Sequence, residues 1–244
     1  LLSSQSGSII DMSLSEFGDY ILIGSAGVDI FTGGQGNDTL TGDASPSFKS
    51  KKFLALDSNN AGNTFNITFG TDTITDLSTG DILVVSSGAT ANGTNISNFV
   101  ATSSTTNGGV ANLTAGDTGS TIILTNSLSG FYTITGGSGI DNLTGGSGDD
   151  IIDGAGGNDN LIGGNGNDTF NITAGTDVIS DITTGDILVV SSGATANGTN
   201  ISNFVATSST TNAGIATLTA GNSGSTITMT NSVNGAYTLN GGSG

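Results

Sequence analysis

Bulky apolar residues recur every nine positions through the middle of the chain: Leu143, Ile152, Leu161, Phe170, Ile179 and Leu188. The same step relates Phe31 to Leu40 and, after an interruption, Phe65 to Ile74 and Leu83. Between these ladders lie segments with alternating or short apolar runs: Asp81–Ser86 (DILVVS), Ile96–Ser103 (ISNFVATS), Ser120–Asn126 (STIILTN) and Gly130–Thr135 (GFYTIT). Their enrichment in Thr, Val, Ile and Phe, punctuated by Asn and Gly, predicts short strands joined by turns. No stretch has a convincing helical periodicity.

A second, longer period encloses the first. Thr79–Asn107 and Thr184–Asn212 are identical over 29 residues, and similarity continues to the GGSG at Gly136 and Gly241, a repeat of 105 residues. Self-similarity at a fixed period argues for a repeat architecture before any other fold. The expected division is a first repeat unit over 1–135 and a second over 136–244. Each holds a nine-residue ladder followed by a β segment rich in Ser, Thr, Asn and Gly. The ladder in the first unit is interrupted by a stretch with Pro46, Lys49, Lys51 and Lys52, read as an exposed loop. The chain opens on Leu1-Leu2 and stops partway through a nine-residue unit, which reads as a piece of something longer.

The nine-residue ladder carries more than its apolar position. Four contiguous copies of G-G-x-G-x-D-x-U-x, with U bulky and apolar, run from Gly136 to Asn171, and two more run from Gly24 to Thr41. Glycines at the first, second and fourth positions let the backbone fold tightly with its carbonyls inward. In the second block these include Gly136 and Gly139, Gly145 and Gly148, Gly154 and Gly157, and Gly163 and Gly166; in the first block, Gly33 and Gly36. The sixth position holds Asp141, Asp150, Asp159 and Asp168, and the register continues past the glycines to Asp177 and Asp186. Asp29 and Asp38 hold it in the first block, with Tyr20 replacing an Asp before them. Asp149 and Asp153 fall outside the sixth position and read as solvated. Strands stacked about 4.8 Å apart would align the sixth positions in columns. Two unit charges about 5 Å apart repel by roughly 3 kcal/mol at an effective dielectric of about 20. A divalent cation between them reverses that sign. Ca2+ suits six to eight carboxylate and carbonyl oxygens in flexible geometry, whereas Mg2+ wants a tight octahedron. Zinc or copper sites would call for His or Cys, and the chain has neither.

These motifs resemble the RTX (repeats-in-toxin, hemolysin-type calcium-binding) repeats. The resemblance implies an all-β fold, a calcium-binding parallel β-roll or β-solenoid, with β-strand segments capping or continuing it in tandem. It implies several Ca2+ ions held between loops two repeats apart. Asp141 then pairs with Asp159, Asp150 with Asp168, Asp159 with Asp177 and Asp168 with Asp186. The segments Gly70–Gly88 and Gly175–Gly193 also resemble stretches that follow such blocks in secreted bacterial proteins, surface-layer proteins among them. Ser25 and Ala155, at the second position, are mild departures from the pattern.

Composition narrows the function. The net charge is −17, and all three cations lie within four residues, so distributed phosphate contacts are missing and nucleic acid is not an expected partner. No run of eighteen apolar residues exists, so no apolar transmembrane segment is expected. Without His, Cys or Arg, the common catalytic triads, thiol nucleophiles and arginine clamps are excluded, and no enzyme activity is expected. The expected role is a calcium-stabilised structural region of a secreted bacterial surface-layer, fibre or adhesin protein, outside the cell or on its surface. Self-association into a layer or fibre is the expected partnership, with an anionic cell-surface glycan as a further partner for the Lys cluster. Two alternatives stay open: an accessory module of a larger secreted enzyme or toxin, and an ice- or glycan-binding adhesin segment.

Overall fold

In a computed structural model of the chain, the structure describes residues 9–12, 19–23, 30–32, 39–41, 51–52, 62–68, 70–75 and 77–243. Every regular element among them is a β-strand, and none is a helix. The chain forms two compact units, Leu1–Thr114 with Asn126–Phe131, and Ala115–Thr125 with Tyr132–Gly244.

The strands of the first unit are β1 (Ile9–Asp11), β2 (Ile21–Ile23), β3 (Ile30–Thr32), β4 (Thr39–Thr41), β5 (Lys51–Lys52), β6 (Thr64–Ile67), β7 (Thr71–Ile74), β8 (Ile82–Val85), β9 (Thr90–Ile96), β10 (Asn98–Val100), β11 (Thr106–Asn107) and β12 (Val110–Ala115). Alternate strands pair, always parallel. β2, β4, β6, β8 and β11 make one ladder, and β5, β7 and β9 another. Leu40, Phe65 and Leu83 meet in register along the first ladder. All three are fully buried, with Ile74 buried in the second ladder. The Lys stretch read as a loop contains a rung instead. Lys51 and Lys52 form β5 and pair with Asp72 and Thr73 of β7. Lys49 lies outside the described residues.

The second unit contains β13 (Thr121–Ile123), β14 (Tyr132–Thr135), β15 (Asn142–Thr144), β16 (Ile151–Asp153), β17 (Asn160–Ile162), β18 (Thr169–Ile172), β19 (Thr176–Ile179), β20 (Ile187–Val190), β21 (Thr195–Ile201), β22 (Asn203–Val205), β23 (Thr211–Asn212), β24 (Ile215–Ala220), β25 (Thr226–Thr228) and β26 (Tyr237–Asn240). The order β13-β15-β17-β19-β21-β24-β26 gives one parallel sheet, and β14-β16-β18-β20-β23 gives the other. Two strands of nine-residue spacing therefore make one coil. Leu143 lies over Leu161 and Ile179, and Ile134 over Ile152, Phe170 and Leu188. These side chains are fully buried, so the nine-residue apolar ladder of the sequence is the core of the roll. A short strand has one inward position per nonapeptide, and the flanking glycine turns reverse the chain toward the opposite sheet.

Past β19 the coils lengthen and change composition. The inward positions of β21 are Ala196, Gly198 and Ile201, with an irregular register between Gly198 and Ile201. Gly198 is needed for space: a Cβ there would sit 2.8 Å from Leu218 Cδ2 and 3.0 Å from Ile201 Cδ1. These longer coils pack large side chains from one strand over small ones in the next.

Candidate metal centre

The sixth-position aspartates of the second unit form two buried columns. Asp141, Asp159 and Asp177 make one, and Asp150, Asp168 and Asp186 the other, each at most 2 % exposed. The side chain is short enough to reach the backbone amide one coil back, about 4.8 Å away. Asp159 Oδ1 accepts from the Asp141 N–H at 2.8 Å, and Asp177 Oδ1 from the Asp159 N–H at 2.9 Å. In the other column Asp168 Oδ1 accepts from Asp150 and Asp186 Oδ1 from Asp168, both at 2.8 Å. The columns start on residues outside the nonapeptides. Ser120 N–H donates to Asp141 Oδ1 at 2.5 Å, and Tyr132 N–H to Asp150 Oδ1 at 2.7 Å.

The second carboxylate oxygen distinguishes the third repeat from the first two. In the first two repeats of the block the amide of the second position closes the loop: Gly137 N–H donates to Asp141 Oδ2 and Gly146 N–H to Asp150 Oδ2, each at 2.7 Å. In the third repeat the second position is Ala155, held in the left-handed region at φ 61°. Its amide turns away and donates to Asp153 Oδ1 at 2.9 Å. Asp159 Oδ2 is therefore buried without a donor, and so is Asp177 Oδ2 above it. Both oxygens converge over Gly154, where an added Cβ would lie 2.6 Å from Asp159 Oδ2 and 2.9 Å from Asp177 Oδ2. A buried acceptor with no donor is unfavourable, and two anionic ones together more so.

Burial dominates the electrostatics of the columns. Burial pushes the Asp168 carboxyl up to about 7, against the Asp150 N–H that lowers it, with the charges of Asp186, Asp150 and Asp181 adding to the rise. Burial likewise raises Asp177 to about 7, opposed by the Asp159 N–H and reinforced by the Asp159 charge. Asp150 rises to about 6 through burial, offset by the amides of Gly146 and Tyr132. Burial also raises Asp159 and Asp186. The two oxygens over Gly154 can share a proton or a metal ion. With both groups ionised and no cation, neither oxygen has a partner.

The donor set suits a hard divalent ion. Among the described residues no group of three or more acidic, His or Cys side chains makes a metal site by itself. The other oxygens come from the glycine turns. The Gly154 carbonyl and Asp141 Oδ2 crowd the same point beside Gly136, and the Gly163 carbonyl and Asp150 Oδ2 crowd the point beside Gly145. Carbonyl and carboxylate oxygens with no nitrogen or sulfur are the ligands Ca2+ takes. The residues present fit the ion.

The structure places Asp141, Asp150, Asp159, Asp168, Asp177 and Asp186 together in the columns. The fourth-position glycines stack between coils: the Gly139 carbonyl faces Gly157, the Gly148 carbonyl faces Gly166, and the Gly157 carbonyl faces Gly175. Gly157 and Gly166 adopt φ of 126° and 139°, which an L side chain rarely takes. Asp29, Asp38, Gly33 and Gly36 lie outside the described residues. In the first unit Asp72 and Asp81 are fully buried, and Asp81 accepts from the Asn63 and Ser78 amides, each at 2.8 Å.

Three further carboxylates escape the nonapeptide pattern. Asp181 lies outside it, yet accepts from the Gly163 and Gly164 amides at 2.9 and 2.8 Å. Asp149, exposed as expected of a solvated residue, and half-buried Asp153 are also bonded across coils. Asp149 Oδ1 takes the Asn167 N–H at 2.7 Å, and Asp153 Oδ1 takes the Thr173 hydroxyl at 2.8 Å as well as the Ala155 amide. The sequence signal for two of them is the eighteen-residue step, which separates Asp149 from Asn167 and Asp181 from Gly163.

Neither the curated proteins nor the solved structures give a match to the chain. The family model of the RTX calcium-binding nonapeptide repeat matches four copies, over residues 21–45 and 135–170. Residues 135–170 carry both aspartate columns as far as Asp168 and the glycine turns around them, so the geometry and the family coincide there. Over these two segments the chain carries RTX calcium-binding nonapeptide repeats.

Proposed function

We propose that this chain is a calcium-gated structural region of a secreted bacterial protein, folding as its aspartate columns fill with Ca2+ outside the cell. The observation that carries the reading is the pair of buried, donorless oxygens Asp159 Oδ2 and Asp177 Oδ2 over Gly154. The residues that would hold the ions are Asp141, Asp150, Asp159, Asp168, Asp177 and Asp186, with carbonyl oxygens of the glycine turns. Asp29 and Asp38 take the same role in the first block. A bound Ca2+ supplies positive charge between coils and so turns column repulsion into attraction. Extracellular modules bind calcium at roughly 10⁻⁴–10⁻³ M, so a site of this kind fills outside the cell and stays empty at cytosolic calcium. An ion that binds only the folded chain stabilises it by mass action.

The role is mechanical. Stacked coils of one kind make a parallel wall, suited to a surface layer, fibre or adhesin stalk that associates with itself. No catalytic step is assigned to the aspartates, whose Oδ1 atoms are engaged by backbone amides. Circular dichroism of the whole chain during a calcium titration tests the reading. The β signal should rise with calcium and fall in part in chelator. Full β structure in chelator, unchanged by calcium, would sink it.

A further inference from the structure

The two units place different charges at the same rung. In each, a strand of identical sequence, Thr-Phe-Asn-Ile, is followed by a strand carrying a fully buried aspartate: β6 then Asp72 of β7, and β18 then Asp177 of β19. The rung before Asp177 is β17, in the GAGGNDNLI repeat. Asn160 of β17 pairs with Val178, so Asp159 is the register neighbour of Asp177, and its amide donates to the Asp177 carboxylate. The rung before Asp72 is β5. There the register neighbour of Asp72 is Lys51. A cationic residue stands at the position where the second unit has a carboxylate.

That exchange changes what each rung requires. A buried carboxylate needs a compensating positive charge. Asp159 and Asp177 together bring only negative charge, and the second unit contains no Lys or Arg. An external cation is their remaining counter-charge. Adjacent parallel strands lie about 4.8 Å apart, a separation at which unit charges on neighbouring rungs interact strongly. The chain's cations are confined to Lys49, Lys51 and Lys52, the stretch that replaces the nonapeptide. We propose that Lys51 is a built-in cation for the Asp72 rung, so that the first unit holds this rung without calcium while the second unit needs the metal. The inference rests on the calcium reading of the second unit.

Hydrogen exchange of the whole chain, in chelator and in millimolar calcium, tests both and separates them. In the wild type, β19 amides (Thr176–Ile179) should be unprotected in chelator and protected with calcium, whereas β7 amides (Thr71–Ile74) should be protected in both. Lys51→Met, which keeps the side-chain length and removes the charge, should speed β7 exchange in chelator by about tenfold or more. Lys51→Asp should make β7 protection calcium-dependent, with one more ion bound per chain. Loss of β7 protection in wild-type chelator samples, or β7 protection unaltered by Lys51→Met, overturns the role of Lys51. A β19 signal indifferent to calcium overturns the calcium reading itself.

Discussion

Within the second unit, two stretches of roll solve one problem differently. From β15 to β19 the turns are tied by aspartates; from β20 to β26 they are tied by neutral residues. Asn212 is 3 % exposed, as buried as the column aspartates. Its Nδ2 donates to the Ala236 carbonyl at 2.6 Å, and its Oδ1 accepts from the Gly214 amide at 3.0 Å. The repeat in the first unit is the same: Asn107 Nδ2 donates to the Phe131 carbonyl and Oδ1 accepts from Gly109. An amide side chain both gives and takes hydrogen bonds, so the neutral coil satisfies itself. A carboxylate only accepts. Where a backbone amide is diverted, as at Ala155, it leaves an oxygen for something else to satisfy. On the calcium reading, that difference between carboxylate and amide sets which stretch would respond to metal.

The largest expected effect comes from moving the charge. Asn212→Asp puts a carboxylate where the Ala236 carbonyl expects a donor, with no cation nearby. It should destabilise the chain by about 3–5 kcal/mol at pH 8, the range for an uncompensated buried charge. Urea unfolding in chelator measures it; a change near zero would erase the distinction between the two stretches. Next is the reverse exchange. The amide introduced by Asp177→Asn offers Asp159 Oδ2 a donor and removes one charge. Stability in chelator should rise, while calcium-induced stabilisation at this rung, about 3 kcal/mol at a hundredfold excess over Kd, should vanish. Isothermal calorimetry paired with unfolding reads both.

A graded effect follows from acidity. The carboxyls of Asp150, Asp168 and Asp177 titrate at about 6, 7 and 7 in the folded chain against 3.8 unfolded. The folded state therefore binds protons more tightly than the unfolded one. Their contribution is fully present below about pH 4 and is lost as pH rises through 6 to 7. In chelator the thermal midpoint should fall between pH 5 and pH 8. In calcium the same rise in pH frees the ligands and should strengthen binding. Parallel pH trends in the two conditions would count against the columns as the metal sites. The smallest effect is local. Ala155→Gly relieves a left-handed alanine, a gain of about 1 kcal/mol, visible as a small shift in urea midpoint.

The nine-residue spacing alone makes the core and the two columns legible in the sequence. Leu143 through Leu188 need only their period, and Asp177 and Asp186 only the continuation of that period past the last glycine. Other features are less visible. Strands β9 and β21 carry Ala and Gly at inward positions, so no bulky alternation announces them; large residues such as Leu113 and Leu218 fill the space from the next strand. The rung formed by Lys51 and Lys52 has neither apolar residue nor glycine motif, and its pairing depends on β7, distant in sequence. The roles of Asp149 and Asp181 depend on which amides face them one coil away, and that of Asp153 on the Thr173 hydroxyl there. That is a property of the closed turn, and not of the nonapeptide containing them.

The two-strand coil has a consequence for how such a chain can change length. Each sheet takes every second nonapeptide, as when Leu143 meets Leu161 and Ile152 meets Phe170. Adding or losing one nonapeptide keeps the core position but turns everything downstream by half a revolution. Whatever faced one way then faces the other. Only even numbers of nonapeptides preserve the phase of the surface, so the roll can grow or shrink without disturbing its outward pattern only in steps of two.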